Sequence, residues 1–245
     1  MTAPDTPLPF ETTDDALLDG RLVLRQPRRG HRFGHDALLL AGMAGEGDRT
    51  LMDFGAGVGS AGLVALALHP GARAVLVERE ADLAALAEQN AARNGFAERC
   101  AVVCADVCDL NRGRGPNVPP VDLVLANPPF NLSTAHRTSP DGGRARAHMA
   151  DEGLFAHWVT AAARCLKPGG RLALILRPSE LALLLTALSG RFGALELQPV
   201  HPRADRPAVR LLARAIKGRR TPPVFLPGLV LGGAEGGANG QGLPE

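Results

Sequence analysis

A chain of 245 residues, 45% hydrophobic and 21% charged, has the material for one substantial core. A net charge of +2 and a pI near 8.5 are too mild to announce a nucleic-acid partner, although a mean charge can conceal a local field. No apolar run nears the ~20 residues of a membrane span, and Asp5, Glu11, Asp14 and Asp15 do not suit a secretory signal, so we expect a cytoplasmic protein with no membrane partner.

Residues 1–20 read as a mobile leader, with scattered acids and no apolar period. Residues 21–217 read as one domain, of which 21–48 form an N-terminal extension or cap. A short strand is expected at 21–26, stopped by Pro27, then a basic loop through Phe33, and a helix over 37–44 with Asp36 as its N-cap. From Thr50 strands and helices alternate: strand 51–54, glycine turn 55–59, helix 60–68, strand 74–77 ending on Glu78, helix 82–94 and strand 101–104 leading to Asp106. After a Pro/Gly/Arg loop come strand 121–126, helix 154–166 closed by Pro168-Gly169-Gly170, strand 172–176, helix 181–188, and strands 194–200 and 209–216. This alternation demands an α/β fold: a doubly wound, mainly parallel, seven-stranded Rossmann-like sheet covered by helices on both faces. Residues 218–245 read as a Gly/Pro-rich, partly disordered tail, with Leu226, Leu229, Val230 and Leu231 available to dock. Cys100, Cys104 and Cys108 recur every fourth residue but contain no CxxC pair and straddle a strand and its loop, so no metal site is expected.

Two stretches carry chemistry. Asp53-Phe54-Gly55-Ala56-Gly57-Val58-Gly59 places glycines where a strand turns into a helix, the position at which a backbone passes close to a ligand. The overlapping run from Gly57 to Gly62 also satisfies the GxGxxG dinucleotide pattern, so a nicotinamide-dependent oxidoreductase is a rival reading. Glu78, at the end of the next strand, suits ribose hydroxyls in either case. The second stretch, Asn127-Pro128-Pro129-Phe130, ends a buried strand in residues that cannot continue it. Asn127 offers an amide oxygen, Pro128 a fixed carbonyl and Phe130 a flat face; together they make a seat for a planar amine. The oxidoreductase reading leaves this stretch unexplained.

The glycine turn, Glu78, Asp106 and Asn-Pro-Pro-Phe, in that order, resemble the successive motifs of class I S-adenosylmethionine-dependent methyltransferases that modify exocyclic or amide nitrogens. Arg32-Phe33-Gly34-His35-Asp36 with the following Ala-Leu-Leu-Leu, and the Ala87/Asn90/Asn94 helix, resemble more narrowly the bacterial tRNA (adenine-N6) methyltransferase family acting on valine tRNA. His35 stands where a small hydroxylic residue is expected. The resemblance implies S-adenosylmethionine as cofactor, held by Gly34, Asp36, Asp53, Gly55, Gly57, Gly59, Glu78, Asp106 and Asn127. Catalysis falls to Asn127, Pro128, Pro129 and Phe130, with no strong base, because the methyl group arrives already activated. The acceptor is the N6 amine of an adenosine in RNA, with tRNA ahead of rRNA. Alternatives are a protein glutamine-N5 methyltransferase and an rRNA guanine-N2 methyltransferase.

Arginines fall in three groups: Arg28, Arg29 and Arg32; Arg137, Arg144, Arg146 and neighbouring His148; and the segment from Arg203 to Arg220. We expect them to line one rim for RNA phosphates, with Arg32, Arg144, Arg146 and His148 nearest the substrate.

Overall fold

A computed structural model of the chain describes residues 9–29, 34–113, 115–128 and 142–232. It opens with an antiparallel hairpin, β1 (Thr12–Leu17) and β2 (Leu22–Pro27), so part of the expected leader is ordered structure. What holds β2 is a pair of asparagines one helical turn apart. On α3 (Ala81–Arg93) and its C-cap, Asn90 Oδ1 accepts from the Arg25 N–H and Asn94 Oδ1 from the Val23 N–H, both at 2.8 Å, while their amide nitrogens donate to the carbonyls of the same two residues. The two side chains thus mimic a partner strand, satisfying backbone groups that would otherwise be orphaned.

The helix after the hairpin, α1 (His35–Ala41), starts earlier than the sequence suggests, with Gly34 at its N-cap. Asp36 therefore lies inside the first turn and does not cap the helix. The sheet is built from β3 (Thr50–Phe54), β4 (Arg73–Glu78), β5 (Cys100–Cys104), β6 (Val121–Ala126), β7 (Leu166–Leu176), β8 (Phe192–Arg203) and β9 (Arg210–Lys217). These seven are the expected strands, in the spatial order β8-β9-β7-β6-β3-β4-β5. All run parallel except β9, which is antiparallel to both neighbours because the chain reverses through residues 204–209 directly from β8 into β9. Two short strands from the tail, β10 (Val224–Phe225) and β11 (Leu229–Gly232), pair in parallel with β8 and widen the sheet to nine strands.

The apolar runs of β3, β6 and β7 are continuous because both faces are covered. On one face, α1, α2 (Ser60–Leu68) and α3 bury Leu40, Leu63, Leu66 and Ala87 against Leu51, Leu123 and Ile175. On the other, α4 (Gly142–Cys165) and α5 (Leu181–Leu188) pack Phe155, Trp158, Val159 and Leu184 against Phe54, Val124 and Leu174. Pro168, Gly169 and Gly170 do not end α4 but bulge out of β7: Val121 pairs with Leu166 while Leu123 pairs with Arg171. At that end of the sheet Asp122 accepts from Lys167 Nζ (2.6 Å) and the Thr50 N–H (2.9 Å), tying β3, β6 and β7 together away from the cleft. Among the described residues no helix is long and apolar enough to cross a membrane.

Candidate active site

A cleft of about 490 Å³ opens at the carboxyl ends of the parallel strands. Strand order reverses at β3, which has β4 on one side and β6 on the other. Such a switch point is where the loops on either side diverge and leave a crevice for a ligand. Gly55, Glu78, Asp106 and Asn127, at the ends of β3, β4, β5 and β6, all line it, with Pro128 and Asp36.

The glycine turn is built by close approaches. Gly55 has φ +63°, and a Cβ there would lie 2.7 Å from the Trp158 ring, which itself stands edge-on to Phe54 with centroids 6.1 Å apart. Gly57 has φ +56° with open space around it, whereas a Cβ on Gly59 (φ +89°) would press on Leu63 and Leu76 at 3.0 Å. Gly62 completes the dinucleotide-like pattern for a packing reason: its Cβ would meet Leu76 at 2.3 Å, so glycine alone lets α2 lie against β4. Asp53 is expected at the cofactor but is not among the cleft-lining residues; its buried carboxylate accepts from the Gly62 N–H at 2.8 Å, holding the first turn of α2. Burial, offset in part by that hydrogen bond and reinforced by nearby Glu78, pushes its pKa up to about 7. Gly34, Gly57 and Gly59 likewise shape the backbone and are not among the cleft-lining residues.

Glu78 is buried and bidentate toward backbone. Oε2 accepts from the Gly57 N–H at 2.8 Å and Oε1 from the Glu80 N–H at 2.9 Å. Each oxygen keeps a lone pair for a hydroxyl in the cleft. Asp106 uses Oδ1 to accept from the Cys108 N–H at 2.7 Å, which fixes a 3-10 turn at Val107–Asp109, and the residue lines the cleft. Asn127 is exposed at the end of β6, where Pro128 turns the chain out of the sheet. Pro129, Phe130 and Arg32 lie outside the described residues, as do the side chains of Arg144, Arg146 and His148.

The far wall was less legible. Trp158 and Leu154 of α4, Leu83 of α3, Arg177 after β7 and Arg210 at the start of β9 all line the cleft. Of these, the sequence pointed only to Arg210, as a member of the 203–220 arginine group; the rarity of tryptophan is the one signal that could have marked Trp158. Both carboxylate oxygens of Asp36 accept from Arg210 Nε, at 3.1 and 2.9 Å, across 174 positions of sequence. Within the 203–220 group, the described arginines do not share one end of the sheet. Because β9 runs antiparallel, Arg210 lies at the cleft end while Lys217 is paired with Phe192 at the other end, and Arg219 and Arg220 follow it there. At ~3.3 Å per residue the seven steps between Arg210 and Lys217 span roughly 23 Å. Arg214 is engaged by Glu196.

Residues 34–198 match the family model described as "Methyltransferase small domain". A tRNA1(Val) (adenine(37)-N6)-methyltransferase of Porphyromonas gingivalis is 30% identical over 188 residues, which are 74% of this chain and 73% of that protein. Among solved structures, a predicted O-methyltransferase from Agrobacterium tumefaciens aligns with a TM-score of 0.64 and 30% identity, covering 80% of this chain and 87% of that one. The T. thermophilus 16S rRNA N2 G1207 methyltransferase, solved with AdoMet and guanosine, aligns at 0.58 over 88% of this chain and 52% of its own, and at 19% identity shares the fold alone.

Proposed function

The chain belongs to the methyltransferase small domain family, and from that premise we propose that it transfers a methyl group from S-adenosylmethionine to the N6 amine of an adenosine in tRNA. The observation that carries this reading is convergence: Gly55, Glu78, Asp106 and Asn127 open into one cleft at the switch point. The Porphyromonas gingivalis relative, aligned over most of both chains, supplies the nucleotide and the RNA class.

The residues present fit the cofactor. The cleft volume lies within the ~300 to 1,000 Å³ usual for small-molecule sites. One side carries Glu78, Glu80 and Asp106, suited to hydroxyls, an amino group and a ligand with cationic centres, while Val77, Leu83 and Val107 offer apolar surface to an aromatic ring. The glycine turn at Gly55 brings backbone to the cleft without a side chain. When bound, the cofactor supplies a sulfonium-activated methyl group.

The chain then has to orient a weak nucleophile. The Asn127 amide oxygen and the Pro128 carbonyl accept from the two protons of the exocyclic amine, drawing the nitrogen out of conjugation so that its lone pair faces the methyl group. Transfer leaves a cationic, strongly acidic nitrogen that releases its proton without a dedicated base. Phe130 is assigned to stacking on the base, and an unpaired loop is the cheapest place from which to turn an adenine out. Such an enzyme works where tRNA matures, in the cytoplasm. The test is labelled cofactor offered to bulk tRNA, ribosomal RNA and a glutamine peptide, followed by nucleoside analysis. N6-methyladenosine in tRNA supports the reading; label in the peptide alone or as N2-methylguanosine overturns it.

A further inference from the structure

The two halves of the cleft mouth differ in charge. On the β4–β5 side Glu78, Glu80 and Asp106 line the cleft, and among the described lining residues there Arg79, paired with Glu80 at 3.1 Å, is the one cation. Moving the other way from Asn127, strand ends follow in the order β7, β9, β8, and each carries arginine: Arg177 directly after β7, Arg210 opening β9, Arg203 ending β8 and Arg206 in the turn that follows it. Arg210 is committed to Asp36. The other three are exposed. Arg203 and Arg206, with side chains 70% and 63% accessible, share one carboxylate, Asp205, at 3.5 and 3.9 Å.

The turn bearing them is preformed. The Arg206 N–H donates to the Arg203 carbonyl at 3.1 Å, the Val209 N–H to the Val200 carbonyl at 2.8 Å, and the His201 ring nitrogen Nδ1 lies 2.8 Å from the Arg206 carbonyl. Strand β11 also pairs with β8 up to Arg203, stiffening the ribbon where it runs past its last pairing with β9. With strands ~4.8 Å apart, the row from Asn127 to the 203–206 turn extends about 14 Å, enough for more than one phosphate of an extended strand. Guanidinium groups held on rigid backbone bind phosphate with less ordering cost than groups on mobile chain.

We propose that Arg177, Arg203 and Arg206 form a phosphate-binding rim that seats the RNA segment flanking the target adenosine. The rim rests on the reading of the protein as an RNA methyltransferase and adds where the RNA lies: across the β7–β9–β8 strand ends, leaving the acidic β4–β5 side to the cofactor. It separates these residues from Arg219 and Arg220 at the opposite end of the sheet, which take no part.

The experiment compares the parent, an Arg177→Gln/Arg203→Gln/Arg206→Gln variant and an Arg219→Gln/Arg220→Gln variant. Each is titrated with an anticodon-arm RNA across a salt series and with S-adenosylhomocysteine alone. The triple variant should lose at least tenfold in RNA affinity and flatten the log–log salt slope by about 2, at ~0.7 per phosphate contact on a single strand, while its S-adenosylhomocysteine titration reports separately any effect of Arg177 on the cleft it lines. The Arg219/Arg220 variant should match the parent. A parental slope in the triple variant, or equal flattening in the Arg219/Arg220 variant, overturns the rim while leaving RNA methylation standing. A parent that neither binds nor methylates RNA removes the RNA reading and the rim with it. Should the triple variant fold poorly, arginine-selective labelling of the parent decides: RNA must protect Arg203 and Arg206 and leave Arg219 reactive, and the reverse pattern overturns the proposal.

Discussion

The carboxylate of Glu78 accepts the Gly57 N–H at 2.8 Å, so the residue ending β4 is fastened to the glycine turn that follows β3. One side chain thereby shapes the turn and faces the cleft. Glu78→Ala should free the part-buried amides of Gly57 and Glu80 as well as removing a ligand acceptor, costing on the order of 1 kcal/mol per lost hydrogen bond. Glu78→Gln keeps one acceptor and should recover much of the stability but little of the affinity. Thermal melts beside cofactor titrations separate the two effects. Trp158, the one tryptophan in a chain without tyrosine, lines the cleft and offers a fluorescence signal for the titrations.

Gly55→Ala drives a methyl group toward the Trp158 ring at 2.7 Å and strains a backbone at φ +63°. Overpacking of this kind costs typically ~1 to 3 kcal/mol. Gly57→Ala, with open space around it, should carry only the left-handed backbone cost of roughly 1 to 2 kcal/mol. Urea denaturation should therefore rank Gly55→Ala as the less stable variant, and Gly55→Ala/Trp158→Ala should relieve the clash while leaving the backbone strain. Equal loss in the two single variants would contradict the packing account.

Asn127→Ala should leave cofactor affinity within about twofold and reduce single-turnover methylation at least ~10²-fold, because the lost acceptor acts on the amine as its nitrogen becomes tetrahedral. Parental turnover in this variant would remove Asn127 from the mechanism.

Asp53 makes stability fall as pH rises. Its folded pKa is raised, chiefly by burial, from 3.8 to about 7, so across that window the native state holds a proton that the unfolded chain has released. The stability contribution is greatest below about pH 4, declines toward pH 7 and is flat above it. Asp14, paired with Arg93 and Arg25, has its pKa lowered to about 2 and acts in the opposite sense below that window. Asn at position 53 still accepts from the Gly62 N–H and cannot ionise. Melting of cofactor-free Asp53→Asn should accordingly gain on the parent steadily between pH 4 and 7; a constant difference across that range refutes the assignment.

Asn90→Ala removes the acceptor for the Arg25 N–H and the donor to the carbonyls of Arg25 and Val58. Amide exchange in the 12–27 hairpin should accelerate far more than exchange in β3 or β6, since the sheet does not depend on that side chain.

Much of this protein is written locally. The alternation of apolar strands with Ala/Leu helices specifies the α/β sheet, because a strand buried on both faces must be apolar along its whole length. The glycine at 55 and the Asn127-Pro128 step mark turns that border the cleft through their own backbone constraints. Other features depend on partners far along the chain. Asp36 looks like a helix cap beside its neighbours and becomes an ion-pair partner only when β9 brings Arg210 to it. Asp53 looks like part of a ligand motif, yet folding turns its carboxylate to the Gly62 N–H. The arginines from 203 to 220 form one group in sequence, and the reversal of a single strand sends Arg210 to the cleft end and Arg219 to the other. Side-chain identity sets what a residue can do, and strand direction and register decide which end of the molecule it does it at.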